Sequence, residues 1–535
     1  MPLDHTEPLA LPPTPSDPLA DTRAALDDLA VGLAPQPSYR LGRLIMASRR
    51  NLERKYGALG FQAIHDALLD LANAMSARLV YADIAAQNQA LGLEPLDNGE
   101  SAPAWADYVK HLPTDTRSLL LVGGPDIVPF QQVANPSDDD DDALWSDAPY
   151  GGSALLSPGR AVGRLPDSAE TDPSLLIGLI RSTADARRAA GRQSKWASVS
   201  PAAGPVAVGY TASVWRHAAR AVFSVLDRPS RLRMSPPLDH GGAPALDGHR
   251  FSAAYFNLHG LKDDAGWYGQ RDPLLAADYA AFPLAMHPDN LQADGRRRLI
   301  IFSAACYGGY IVDKRAGESM ALRLLQTKAA AFVGSTALAY GGLSERLLAA
   351  DLLAVHFWRG LLGGLSLGEA LRQAKIGMAN ELIQRQGFLD AEDQKAIYTF
   401  TLYGDPTLTP FAPHRAPWQP ARGDKKAESK SAPGALENVA FPPEEASAKA
   451  LGVRLNAVKG EMAARIEQQI RRQLPDLGRV EIKLATPPVA KSFGAPPAAA
   501  TVTIAETPSE RPFRQLVKAT LAPDGSIVKL VMAHG

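Results

Sequence analysis

The 535 residues hold one cysteine, Cys306. An internal disulfide is therefore excluded, a thiolate-rich zinc site is not expected, and the usage fits a reducing compartment. An excess of either charge is missing as well. The 56 Lys and Arg against 57 Asp and Glu leave a formal net charge of −1. With no basic field to attract them, nucleic acid and an anionic membrane are not expected partners. Long apolar runs are also scarce. The longest, AAAFVGSTALAYGG (Ala329–Gly342), is too short and too interrupted to span a bilayer. The opening MPLDHTEPLALPPTPSDPLADT has neither the basic start nor the apolar centre of a signal peptide. A soluble, cytoplasmic protein is the expectation.

What is present is globular: 46% hydrophobic and 21% charged residues, in a chain too long for one core. Residues 1–37, rich in Pro, Asp and Ala, read as a flexible lead-in. Helical spacing is read from Tyr39 to Ser76 (Leu41, Leu44, Ile45, then Phe61, Ile64, Leu68, Leu71), followed by a strand in ARLVYADI. SLLLVGGPDIVPF reads as a buried parallel strand ending in a loop. A polar helix near 170–191 follows, then strands in PVAVGY, FSAAYFNLHG, RLIIFSAAC and KAAAFVGST, with helices at 345–362 and 367–383. Alternating strands and helices imply an α/β fold, a mostly parallel sheet flanked by helices.

The expected divisions are an N-terminal α/β subdomain (38–195), a second subdomain (196–412), a linker (413–443) and a small α+β C-terminal module (444–535). The module shows a helix through Met462, Ile466, Ile470 and Leu474, strands in VEIKLA, ATVTIA and RQLVKATL, and a hairpin signal at Pro523-Asp524-Gly525.

Two expected strands end in reactive groups. AAYFNLHG delivers His259 and Gly260; LIIFSAACYGG delivers Cys306 and a glycine pair. In a parallel sheet both would emerge at one carboxyl edge. An imidazole there can take the proton of a thiol that is otherwise mostly protonated at neutral pH. Gly260 lets a substrate carbonyl approach, and its N–H with that of Cys306 would form an oxyanion hole. By itself Cys306, among Ala, Ile and Phe, reads as a buried structural thiol. Paired with His259, each followed by glycine, it reads as a nucleophile.

These elements resemble the caspase-like (clan CD) cysteine peptidases, in particular the gingipain-type branch, with related bacterial CHAT domains. LHG and SAACYGG carry the likeness. LLLVGGPDIVP, SDAPYGG, AVGRLP, AAAFVGSTALAYG, SLGEALRQAK and LYGDPTL support it in order, over roughly residues 118–410. The resemblance implies a caspase-like fold and an endopeptidase acting on protein or peptide substrates through a Cys306–His259 dyad, without cofactor or metal. Trp267, in HGLKDDAGWYGQ, resembles an aromatic bordering the gingipain substrate pocket. Gingipains carry a signal peptide and an immunoglobulin-like tail, and this sequence shows neither. An intracellular, regulated bacterial protease is expected instead, its C-terminal module a docking point for a regulatory protein. The basic-residue specificity does not carry over.

Asp263 and Asp264 are candidate pocket acids for a basic substrate side chain. Asp138–Asp142 reads as a solvated charge run rather than a calcium loop, which would need spaced ligands and a central glycine. Asp405 reads as a turn cap before Pro406. His217, His240, His249, His287 and His356 show no ligand spacing. Arg422, Lys425 and Lys426 in the linker are solubilising charge or sites of self-cleavage. The rival reading is a non-catalytic CHAT-like scaffold. A hydrolase nucleophile elbow fits poorly, because SAACYGG lacks the glycine two residues before the nucleophile and the histidine comes first.

Overall fold

The computed structural model describes residues 42–413, except 153–154, 157, 197–204, 238–243, 245, 247–251, 273–278, 293–298, 328, 344–345 and 387. Beyond these it describes 468, 471, 481–485, 501–506, 515–521 and 527–533. The expected lead-in, linker and basic linker residues lie outside the described residues. So does the C-terminal helix except Gln468 and Arg471, both helical.

The strands are β1 (Arg43–Ala47), β2 (Arg78–Tyr81), β3 (Ser118–Val122), β4 (Gln131–Ala134), β5 (Ala143–Ser146), β6 (Ala161–Leu165), β7 (Ala207–Ala212), β8 (Leu232–Ser235), β9 (Ala253–Asn257) and β10 (His259–Gly260). They continue with β11 (Trp267–Tyr268), β12 (Leu284–Met286), β13 (Leu299–Ser303), β14 (Ala329–Ser335), β15 (Tyr340–Gly342), β16 (Phe400–Tyr403), β17 (Glu481–Ala485), β18 (Thr501–Glu506), β19 (Gln515–Leu521) and β20 (Ile527–Ala533). The helices that matter here are α1 (Arg49–Met75), α2 (Ser174–Trp196), α3 (Arg216–Phe223), α4 (Met320–Thr327), α5 (Ala349–Leu362), α6 (Leu367–Gln386) and α7 (Ala391–Thr399).

Ten strands form one sheet in the order β2-β1-β3-β6-β16-β14-β13-β9-β7-β8. Every pairing in it is parallel except β14 with β16. The mostly parallel α/β architecture is the expected one, with one seam the sequence did not suggest. Five strands on one side of the seam run opposite to five on the other. Residues 38–195 and 196–412 share this sheet, since β16 bonds β6.

Continuous apolar runs become central strands because both faces are covered. Ile300 and Phe302 of β13 enter the cluster packed by α3, α5 and α6, while Leu299 and Ile301 enter the one packed by α4. The helical spacing read from Tyr39 is corrected at its start. Leu44 and Ile45 belong to β1, hydrogen-bonded on both sides, and the helix begins after Ser48, whose hydroxyl accepts from Asn51 N–H. A four-residue apolar stretch before a good N-cap favours a strand leading into a helix.

The C-terminal strands β17–β20 form an antiparallel sheet in sequence order, with β19 and β20 the expected hairpin arms. The sheet is not self-contained. Its fifth strand is β15, from the middle of the chain, paired antiparallel with β20.

Candidate active site

Parallel pairing of β9 with β13 sets Ser303 opposite Phe256, and Ala304 N–H extends the ladder to the Phe256 carbonyl (2.8 Å). The ladder stops there, and Cys306 and His259 each follow within three residues of the ends of these two neighbouring strands. Ile300, Phe302, Ala304 and Cys306 share one cluster with Ala253 and Tyr255, while His259 lies past the end of β9, in β10 of the small sheet β10-β11-β12. Gly260 lies against the same turn: a Cβ there would meet the Cys306 carbonyl oxygen at 2.3 Å, so only glycine fits.

The His259 ring is fully buried between Trp215 (ring centroids 4.4 Å apart) and Phe282 (5.5 Å). Its Nε2 is 2.8 Å from Gln270 Oε1. With Nε2–H donating to that carbonyl oxygen, the neutral ring keeps its lone pair on Nδ1, the atom able to take a proton. Gln270 is held by its own backbone, N–H to Ser235 O (3.1 Å) and carbonyl to Val214 N–H (3.2 Å). Sequence reasoning missed Gln270 and Trp215, whose roles depend on strands folded far from the motif.

Cys306 is also fully buried. Its Sγ accepts from Ala339 N–H (3.0 Å) and donates to Ala339 O (3.3 Å). The next residue, Tyr307, has φ +52°, a left-handed conformation that costs a non-glycine residue about 1 kcal/mol. That turn frees Gly309 N–H to donate to Ser335 O (2.7 Å). Burial of this kind is what a structural thiol shows, so catalysis requires a second, open arrangement.

The acidic run departs from its expected role. Asp138, Asp140 and Asp142 face water, but Asp139 and Asp141 turn inward. Asp141 accepts from Tyr307 Oη (2.8 Å) and Leu338 N–H (2.9 Å), and Asp139 from Tyr340 Oη (2.8 Å). The buried Lys395 ammonium bridges both carboxylates at 2.6–2.7 Å. Burial pushes the Asp139 carboxyl up, but Lys395 outweighs it and holds the group below its ordinary range. Five identical residues give no signal of which ones turn inward, and Lys395 lies too far along the chain to be associated with them. The pair braces the two loops on either side of Cys306.

Trp267 is buried in the core, opposite Gly260 in the β10–β11 ladder and 5.6 Å from the Phe256 ring. Asp264 accepts from Gly266 N–H (2.8 Å) and Tyr268 Oη (2.6 Å), closing the exposed turn on which Asp263 also stands. Asp405 accepts from the Thr407 N–H and hydroxyl (both 2.7 Å), the turn after β16. Among the described residues no group of three or more His, Cys, Asp or Glu could hold a metal ion. A shallow open cleft lies elsewhere, lined by Asp147, Arg160, Arg372, Lys375 and Thr401 among others, and includes neither His259 nor Cys306.

Residues 284–411, which include Cys306, match peptidase family C25. Among solved structures, the chain is similar to the Arg-specific cysteine proteinase gingipain R (14% identity, 70% of this chain and 80% of that one, TM-score 0.45). It is similar to the complex of Porphyromonas gingivalis RgpB pro- and mature domains to nearly the same degree (14%, 69% and 79%, TM-score 0.44). No curated protein matches.

Proposed function

We propose that this chain, whose residues 284–411 match peptidase family C25, is a cysteine-type endopeptidase working through Cys306 and His259. The observation that carries the reading is the pairing of β9 with β13, which supports an imidazole and a thiol presented just past the carboxyl ends of adjacent strands, with Gly260 against the Cys306 carbonyl. In this mechanism His259 Nδ1 takes the thiol proton and the Cys306 thiolate attacks the peptide carbonyl. The N–H groups of Gly260 and Cys306 carry the oxyanion, each worth roughly 3 kcal/mol in the transition state. The imidazolium returns the proton to the leaving amine, and water, deprotonated by His259, hydrolyses the thioester. Gln270 is a positioning residue, fixing the tautomer. Trp267, Asp263 and Asp264 remain proposed pocket residues, and an intracellular, regulated role is part of the same proposal, supported by the single cysteine.

The test is a panel of fluorogenic peptides with wild type, Cys306→Ala and His259→Ala. Each substitution is expected to lower kcat/KM by about 1,000-fold or more, with circular dichroism unchanged. Turnover that persists in Cys306→Ala would sink the dyad.

The sealed sulfur favours one second reading, a non-catalytic scaffold of CHAT-like kind. There the wild type cleaves nothing, and Cys306 alkylates no faster than free cysteine under any condition that keeps the fold.

A further inference from the structure

We propose that the C-terminal sheet is the chain's own occupant of a strand-docking edge beside Cys306, and that the thiol opens only when β20 leaves β15. The consequence for catalysis rests on the peptidase reading above; the geometry does not.

Strand β15 is three residues long and begins immediately after Ala339, the residue whose N–H and carbonyl hold the Cys306 sulfur. Its partner is β20, with Tyr340 opposite Ala533, Gly341 opposite Met532 and Gly342 opposite Val531. The pairing is antiparallel, so β20 runs toward Ala339 and therefore toward Cys306. An edge strand beside a nucleophile is where an extended peptide adds by backbone hydrogen bonding. Here a segment of the same chain already fills it.

The occupant is anchored. Val531 and Ala533 share an apolar cluster with Cys306, Ala339 and Tyr340. On the same face of β20, Lys529 Nζ reaches Asp390 (2.6 Å) and Asp393 (2.8 Å). From β19, Lys518 Nζ reaches Glu392 (3.1 Å) and the Ser137 hydroxyl. Both ammonium groups are almost wholly buried, at the start of α7. Buried ion pairs fix register and gain little over apolar packing, and they fail when one charge is changed. Such contacts suit a surface that must dock in one way and still release.

The test uses the full-length chain as wild type, Lys529→Ala and Lys518→Glu/Lys529→Glu. Alkylation of Cys306 by iodoacetamide, at the protein's lone thiol, is followed by mass spectrometry alongside backbone hydrogen exchange. If release opens the site, the double variant alkylates at least about tenfold faster and Lys529→Ala shows a smaller gain, in proportion to the open population. Exchange then rises in 339–342 and 527–533 while 299–303 stay protected. Faster exchange at 527–533 with an unchanged alkylation rate overturns the proposal. If the double variant loses protection at 299–303, the same two outcomes are read on Lys529→Ala. Alkylation needs no turnover, so a faster thiol without peptidase activity upholds the docking and ends the peptidase reading. Turnover with an unchanged thiol does the reverse.

Discussion

Asp351 shows how one buried carboxyl bears on the site. It accepts from Gly342 N–H (2.8 Å), the last residue of β15, and from Tyr255 Oη (3.2 Å), on the strand that ends near His259. Burial lifts its carboxyl from 3.8 to about 7 against these two donors. The folded value lies above the unfolded one, so the native state binds the extra proton between those limits. Its contribution to stability is therefore full below the unfolded value and lost as pH rises through about 7. Asp351→Asn keeps an acceptor for Gly342 and is uncharged at every pH. It is expected to raise Tm above wild type at pH 8 and to bring no gain at pH 4, read by scanning calorimetry at the two values. An equal gain at both would show that the carboxyl does not titrate in this range. Nothing in the sequence singled out Asp351, since its partners lie 9 and 96 residues away. His259, Gly260 and Cys306 were singled out as candidates because each sits where an apolar run gives way to glycine, a purely local pattern.

At the scale of elements, the turn leaving β5 and strand β6 are joined by a buried pair. Arg164 donates from Nε and Nη2 to Asp147 (2.9 and 2.6 Å) and from Nη1 to the carbonyls of Gly123 and Val128. Arg164 is fully buried and Asp147 nearly so. Asp147→Ala strands a guanidinium in the core and is expected to cost about 3–5 kcal/mol, measured by urea unfolding; a loss below about 1 kcal/mol would mean water enters to replace the carboxylate. SDAPYGG and AVGRLP were read as separate landmarks, and the structure makes them two ends of one contact. The strands were legible where hydrophobic runs were continuous. β16 was not, because FTLY follows a helix directly and its direction is set by β14 on one side and β6 on the other. Register against distant partners leaves no trace in local spacing.

For the whole molecule, the seam between β14 and β16 decides cooperativity. One apolar cluster includes Ala331 and Val333 of β14, Phe400 and Leu402 of β16, and helices α5 and α6. The Phe302 and Phe400 rings stack across it, 5.3 Å apart. A core that crosses the seam ties the two five-stranded halves together. Urea unfolding of the described core followed by tryptophan fluorescence and by far-ultraviolet circular dichroism is expected to give coincident midpoints. Separated midpoints would show that the halves melt independently. The C-terminal sheet was read from sequence as an appended module. Its burial against α7 and β15 was not readable, since Lys518 and Lys529 look like ordinary strand-surface lysines until Glu392, Asp390 and Asp393 are placed beside them.

The reversal at that seam also gives the molecule two mouths that look away from each other. Strands on the Cys306 side finish at one rim, and those on the β3 side finish at the far one, where the Gly123–Val128 loop turns. A bead, fluorophore or surface tethered through that loop would leave the rim that carries Cys306 facing free solution. Immobilised protein would then report on opening at Cys306 without the support standing in its way.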